Sequence, residues 1–321
     1  MRKFEKPRLI VSKCIEFESC RYNGLIISSE FVKQLKEYVE FQPVCPEVEL
    51  GLGIPRDPIR LIDLKGKVEL FQPATGKCLT QAMKKFARQY LENIKDFDGF
   101  ILKNKSPSCG IKAVKVYPGL KEGRPRNDGV GAFASEVYNI HPYLAVEDEG
   151  RLRNLKIREN FLTKIYTLAG FRKVKESDDL NHLIEFHSSN KFLLMAYNQN
   201  LSRKMGQVVA NHDHLSLEKI ISNYEELLFK ALEKAPRYTS NINILMHSMG
   251  YFSEELSTDE KSFFLESIEK YREGILPLIV NLNILKSWII RFSEDYLSKQ
   301  TFFEPYPEEL MPITTLYERG F

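Results

Sequence analysis

Apolar residues fall in short runs through the first half of the chain and recur at helical spacing through the second. Arg8 to Ser12 is a brief apolar run just ahead of Cys14, the signature of a buried strand. Phe31, Val32, Leu35, Tyr38 and Val39 then fall on one helical face, with Ser28 or Ser29 as the N-cap. Extended chain leads into Pro43-Val44-Cys45-Pro46, and Ile59 to Asp63 with Val68 to Gln72 predict a strand pair turning at Lys65-Gly66. Leu79, Met83, Phe86, Ala87, Tyr90, Leu91 and Ile94 mark a helix of about four turns. Asp98 to Lys103 and Leu144 to Glu147 read as further buried strands. Strands separated by helices predict an α/β fold with a Rossmann-like, mostly parallel sheet, whose ligands bind beyond the carboxyl ends of the strands.

From about Asn190 the period lengthens. Phe192 to Asn211, Leu217 to Lys234, Asn241 to Gly250, Thr258 to Tyr271 and Ile275 to Ser298 predict an all-helical C-terminal domain. The polar stretch Lys173 to Asn181 is the expected junction, giving domains at residues 1–170 and 171–321.

Composition narrows the class. A chain with 43% hydrophobic residues, 21 Phe and 15 Tyr has ample surface to bury, which excludes disorder. Five cysteines are too few, and odd in number, for a disulfide-stapled scaffold. The most apolar stretch, Ile275 to Ile290, is interrupted by Pro277, Asn281, Asn283 and Lys286 and falls short of the roughly 20 residues of a membrane span. No run resembling a signal peptide follows Met1 to Pro7, so a soluble cytoplasmic protein with free thiols is expected. The net charge of +3 conceals a division: residues 1–170 hold 29 basic and 21 acidic side chains, the remainder 17 and 22. Attraction for a polyanion therefore belongs to the first half.

Cys14, Cys45 and Cys109 each follow a predicted strand. Strand ends of a parallel sheet share one crevice, so thiols distant in sequence can form one ligand set there. Three thiolates leave one coordination position open on a zinc or iron–sulfur site. Without a CxxC pair the spacing is unspecific, and a buried structural cysteine is the alternative for each. The rigid, polar surroundings Pro43-Val44-Cys45-Pro46-Glu47 and Lys105-Ser106-Pro107-Ser108-Cys109-Gly110 are unlike ordinary core. Cys20 shares the loop of Cys14, whereas Cys78, at a predicted helix start, is assigned to packing.

The stretch around Cys109 is also the most basic. Lys103, Lys105, Lys112, Lys115, Lys121, Arg124 and Arg126 stand against one acid, Glu122, and form a candidate RNA-binding rim, with a solvated face as the alternative. Tyr22, Tyr117 and Phe133 are candidates for stacking on a base, core packing being the alternative. In the helical half a contact to RNA would fall to a patch such as Lys191, Arg203 and Lys204. Thr75-Gly76-Lys77-Cys78 lacks the first glycine and the Ser or Thr of a phosphate loop. His212-Asp213-His214 lacks a third ligand and reads as a loop or cap, and His247 reads as a core histidine.

Taken in order, Ser12-Lys13-Cys14 with Arg21-Tyr22-Asn23-Gly24, then Pro43 to Val48 with Gly51 and Pro55-Arg56, then Lys105 to Gly110, resemble the signature blocks of the thiouracil desulfidase (TudS-like) family. Gly129 to Ala134, Val146 to Leu152 and Arg158 to Phe161 extend the resemblance over roughly residues 5–170. Cys20 departs from it, since many members lack a second cysteine in that loop. Lys191 to Asn198, His247, Gly250-Tyr251-Phe252, Gln300 and Pro305-Tyr306-Pro307 are similar to a YbgA-like helical domain. The fusion resembles the arrangement associated with removing sulfur from thiolated uridine in tRNA.

The resemblance implies a [4Fe-4S] cluster held by Cys14, Cys45 and Cys109, with the fourth iron open to a thiocarbonyl sulfur. It implies Glu47 as general base or proton relay, and Ser106, with Ser108 as the alternative, orienting water or that base. The implied reaction is a non-redox hydrolysis of 4-thiouridine in tRNA to uridine and sulfide. Two alternatives stay open: the same chemistry on free thiouracil or a thionucleoside, and a non-catalytic, metal-containing RNA-binding protein. No protein partner and no membrane association is implied.

Overall fold

The structure, a computed structural model, describes residues 2–121, 123–212 and 214–311; Glu122 of the basic run and Asp213 of the His-Asp-His segment lie outside the described residues. The chain divides into two units. One comprises the described residues up to Ala169 joined by those from Glu308, and the other is Gly170–Pro307. Gln34 donates through Nε2 to the carbonyl of Glu309 at 2.6 Å, within the first unit.

Along the first unit run β1 (Arg8–Ser12), α1 (Glu30–Leu35), β2 (Glu40–Val44), α2 (Pro46–Glu49), β3 (Arg60–Leu64), β4 (Lys67–Gln72), β5 (Lys77–Cys78) and α3 (Thr80–Asn93). These are followed by β6 (Gly99–Leu102), β7 (Val114–Tyr117), β8 (Arg126–Gly129), α4 (Ala132–Ile140), β9 (Ala145–Asp148) and α5 (Leu155–Ser177). The division between units falls inside α5, one residue from the expected boundary at 170/171 and ahead of the polar stretch Lys173 to Asn181. Buried Phe171 and Val174 carry the helical period through that stretch, so the helix does not stop there.

The expected parallel sheet is present, with order β2-β1-β6-β9 and every pairing parallel. Leu9, Ile10 and Val11 of β1 and Phe100, Ile101 and Leu102 of β6 are fully buried, as continuous apolar runs must be when both faces of a sheet are covered. Gly99 opens β6 because a Cβ there would stand 2.6 Å from the Ala145 carbonyl oxygen.

A second sheet was not expected. Its order is β5-β4-β3-β7-β8, and it is assembled from two insertions. β3, β4 and β5 lie in the connection from β2 to β6, while β7 and β8 lie in the connection from β6 to β9. The parallel β3–β7 pairing joins them. Only the β3–β4 hairpin was legible in sequence, since β7 and β8 have four residues each and β8, Arg-Asn-Asp-Gly, has no apolar pattern. The two sheets share a core in which Ile10, Phe100 and Leu102 of the first meet Leu61, Leu70 and Val116 of the second. Phe133 of α4 is fully buried in this core, so it is packing and not a stacking platform.

The second unit is helical: after the end of α5 come α6 (Leu180–Ala210), α7 (Leu217–Ala231), α8 (Tyr238–Gly250), α9 (Thr258–Arg272), α10 (Leu278–Phe292) and α11 (Asp295–Ser298). Its core gathers Phe192, Leu245, Phe252, Phe264, Leu285 and Trp288. α6 begins ahead of the predicted Phe192 and is broken at Asn198 (φ −158°, ψ 100°), whose Oδ1 accepts from the Leu201 N–H at 3.1 Å and caps the second half. Gln300 also enters this helix. Its Oε1 accepts from the Phe192 N–H at 3.1 Å and its amide donates to the Ser188 carbonyl at 2.8 Å, the two groups an uninterrupted helix would join to each other. The single helix expected over Ile275 to Ser298 is split, because Ser293 takes a left-handed conformation at φ 54° and ends α10. His247, expected in the core, is exposed, with its ring centroid 5.2 Å from that of Phe192. Among the described residues no helix is long and apolar enough to cross a membrane.

Candidate active site

From β1 the chain passes to β2 on one side of the sheet, and the later parallel strands β6 and β9 fall on the other. β1 and β6 therefore flank the point where strand order reverses, the place where open α/β sheets form a crevice. Cys14 follows β1, Cys45 follows β2 and Cys109 lies in the loop after β6. One cavity of about 820 Å³ collects all three, together with Cys20, Glu47 and Ser106. Cys14, Cys45 and Cys109 are 9%, 8% and 6% exposed and Cys20 is fully buried. None of the five cysteines is in a disulfide.

Each thiol is placed by local backbone. Cys45 is the N-cap of α2, with Pro46 pre-set for the first helical position and Glu47 next in the first turn. The Lys13 N–H donates to the Val44 carbonyl at 2.8 Å, tying the Cys14 loop to the end of β2. Around Cys109, the Ser106 hydroxyl accepts from the N–H groups of Ser108 (3.2 Å) and Cys109 (3.1 Å), while Gly110 N–H donates to the Ser106 carbonyl at 2.8 Å. The start of α4 supports the same turn: Ala132 N–H donates to the Pro107 carbonyl and Phe133 N–H to the Ser108 carbonyl, both at 2.9 Å. Gly131 permits this approach, since a Cβ there would lie 2.4 Å from the Ser108 carbonyl oxygen. On the other flank, Glu149 pairs with Lys103 and accepts from the Asn104 N–H at 2.8 Å, and Asp148 accepts from the Asn104 side chain at 3.0 Å.

Glu47 has both oxygens engaged. Arg56 donates to Oε2 through Nε at 2.8 Å and Nη2 at 2.7 Å, and Ser108 donates its hydroxyl proton to Oε1 at 2.7 Å. The Arg56 side chain is 3% and that of Glu47 13% exposed, so removing either partner would leave a charge nearly buried and unpaired. Arg56 also donates to the Cys20 carbonyl at 3.0 Å, linking Glu47 to the Cys20 loop. In the sequence Arg56 stands only as part of a motif, and the placement of Pro55-Arg56 close after Glu47 is the signal for its role. Ser106, with Ser108 as the alternative, is the serine expected to orient water or Glu47. The structure places Ser108 beside Glu47, and Ser106 caps the turn.

Cys20 stands within hydrogen-bonding reach of both Cys14 and Cys45. Its thiol is pushed up to about 11, chiefly by the hydrogen bond with Cys14. Cys45 is raised by its hydrogen bond with Cys20 and by burial, and Cys109 by burial. A metal that binds these thiols must displace their protons. Among the described residues no three His, Cys, Asp or Glu side chains are spaced to grip a single ion, which would need every sulfur at about 2.3 Å. An iron–sulfur cluster instead spreads its thiolates over several irons, so an all-sulfur set around a wide cavity fits a cluster in its donor chemistry.

Of the basic run, Lys103, Lys105 and Lys115 line the cavity, whereas Lys112, Arg124 and Arg126 do not. Arg126 is paired with Asp63 and Asp128. Tyr22 and Tyr117 line the cavity. Cys78, expected in packing, is exposed on β5, its sulfur 3.5 Å from both Glu69 Oε2 and Thr80 Oγ1.

Residues 9–149 match the family of the 2-thiouracil desulfurase, and residues 191–307 match a family described as a protein of unknown function, DUF1722. The uncharacterized protein YbgA of Escherichia coli K12 is 28% identical over 151 residues, covering 46% of this chain and 89% of its own length. The uncharacterized protein YbbK of Bacillus subtilis 168 is 32% identical over 123 residues, 36% of this chain and 80% of its own. A solved structure, the [4Fe-4S]-dependent thiouracil desulfidase TudS, aligns at 25% identity and a TM-score of 0.38, covering 48% of this chain and 98% of its own. Through its first half this chain belongs to the 2-thiouracil desulfurase family, and through its second it carries a YbgA-like DUF1722 segment.

Proposed function

We propose that the protein is a non-redox desulfidase that replaces the thiocarbonyl sulfur of 4-thiouridine in tRNA by oxygen, using a [4Fe-4S] cluster held by Cys14, Cys45 and Cys109. The observation that carries this reading is the convergence of those three thiols, from three strand ends, on one cavity with the Glu47–Ser108–Arg56 group. When bound, such a cluster supplies a soft Lewis acid for sulfur. The protein's own residues supply the rest. Arg56 clamps the Glu47 carboxylate in one orientation and Ser108 fixes its other oxygen, leaving a lone pair of Glu47 to take a proton from water. The water oxygen bonds to the ring carbon, the carbon–sulfur bond breaks, and sulfur leaves as sulfide. No electrons are gained or lost. The basic rim at Lys105 and Lys115 favours a polyanionic substrate.

The test is anaerobic purification with iron and acid-labile sulfide analysis, followed by sulfide release from thiolated tRNA and from free 2-thiouracil. Release from tRNA is expected. Release from the free base alone would remove the tRNA assignment, and iron-free protein with no turnover would remove the proposal.

A further inference from the structure

Ser12 is the last residue of β1, and connections to all three thiols meet at it. Its parallel partner on β2 is Val44, the residue before Cys45. Its carbonyl accepts from the Ile15 N–H at 2.8 Å, closing the turn that carries Cys14. Its hydroxyl serves the third thiol. Ser12 Oγ accepts from the Lys103 N–H at 2.9 Å, where the chain leaves β6 toward Cys109, and the Cys109 sulfur stands within hydrogen-bonding reach of the same hydroxyl. Ser12 lines the cavity and is 2% exposed.

A hydroxyl has one proton to donate and two lone pairs. With the Lys103 N–H directed at the oxygen, the proton of Ser12 still needs an acceptor, and a buried O–H without one is costly. Among the described residues no carbonyl or carboxylate is placed to take it, which leaves the sulfur of Cys109. Burial pushes the Cys109 thiol up, and the Ser12 hydroxyl pulls it back. Ser106 holds the backbone N–H of Cys109, so the two serines divide the residue between them. We infer that Ser12 is a positioning residue for Cys109, donating an O–H···S hydrogen bond that fixes the direction of the sulfur and draws electron density from it. A ligand sulfur that gives less charge to its metal leaves a stronger acceptor for a second soft donor, such as a thiocarbonyl sulfur. This rests on the desulfidase reading only for the iron–sulfur cluster that Cys109 would help to hold.

The test is the reduction potential of the full-length, anaerobically prepared holoprotein, followed by visible absorption and electron paramagnetic resonance with no substrate present. A donor to a ligand sulfur favours the reduced, more negative state, so Ser12→Ala should lower the potential. The expected size is about a tenfold change in the redox equilibrium, or about 59 mV for one electron. Ser12→Thr keeps the hydroxyl and should restore the parent value, whereas Ser12→Val, with the shape of Thr and no donor, should match Ser12→Ala. Should Ser12→Ala not fold, the Thr and Val variants carry the same comparison. Thr80→Val removes another buried hydroxyl of the same unit, one that accepts from the Leu70 N–H at 2.8 Å and does not line the cavity. It should lower the melting temperature and leave the potential unchanged. Equal potentials in parent, Ser12→Ala and Ser12→Val, or Ser12→Thr as low as Ser12→Val, would overturn the assignment even if sulfide release from thiolated substrates is robust. A potential lowered in Ser12→Val and restored in Ser12→Thr, with no sulfide released from any thiolated substrate, would leave the hydrogen bond standing and remove the desulfidase reading. A parent protein that binds no cluster would remove both.

Discussion

In the α/β unit two ion pairs border one cavity, whereas the hydrogen bonds that His187, Asn190 and Gln300 make around α6 of the helical unit join neutral groups. Around the cavity Glu47 pairs with Arg56 and Glu149 with Lys103. In the helical unit His187 Nδ1 lies 3.1 Å from the Tyr224 hydroxyl, Thr301 donates to Asn190 at 2.8 Å, and Gln300 bridges Ser188 and Phe192. The difference separates two uses of buried polarity. Charges taken out of water are costly unless paired, and two such pairs stand beside the thiols. Neutral amides and hydroxyls are cheaper to bury and fix how helices pack.

Perturbing each side of this contrast should change different observables. The largest effect belongs to the thiols: Cys14→Ser, Cys45→Ser and Cys109→Ser should each lose nearly all iron, measured per chain after anaerobic reconstitution, while far-UV dichroism shows the fold retained. A variant with full iron would remove that cysteine from the ligand set. Glu47→Gln should keep its iron and lower sulfide release by roughly 10²–10⁴-fold, the range of general acid–base catalysis. An unchanged rate would reassign Glu47 to structure. On the helical side, Leu285→Ala opens the fully buried core and should cost about 2–5 kcal/mol in denaturant unfolding, with iron per folded chain unaltered.

A gentler probe of the helical unit is pH. Burial holds His187 down at about 4, against 6.5 ordinarily, so the fold favours its neutral form. Its contribution is complete above about 6.5 and is lost as pH falls toward 4. Thermal melts of His187→Gln should therefore lose less stability than the parent between those limits. Smallest is Ser106→Ala, which removes a turn cap and should cost about 1 kcal/mol. Ser108→Ala should instead slow sulfide release, and the reverse ranking would return Ser106 to the place beside Glu47.

Much of the fold was legible because its signals are local. The apolar run of β1 and the helical stripe of α3 follow from side-chain period, and the rigid, polar loops around Cys45 and Cys109 stand out beside them. The second sheet was not, because β3 and β7 belong to separate insertions and pair only after the chain has folded back. The same holds for the serines of Lys105-Ser106-Pro107-Ser108-Cys109: composition offers two hydroxyls, and turn geometry decides which one turns toward Glu47.

By itself the sequence determined the two-part organisation, the parallel α/β pattern and the set of cysteines able to act together, since these depend on residue type and period along the chain. Tertiary structure alone decided which charges are spent and which are free. Lys103 and Lys115 are equivalent in a charge count, yet Glu149 stands against one and no described carboxylate against the other. The physical reason is that the strength of a charge depends on what lies within a few ångströms of it, and residues far apart in sequence set that distance only once the sheets have formed.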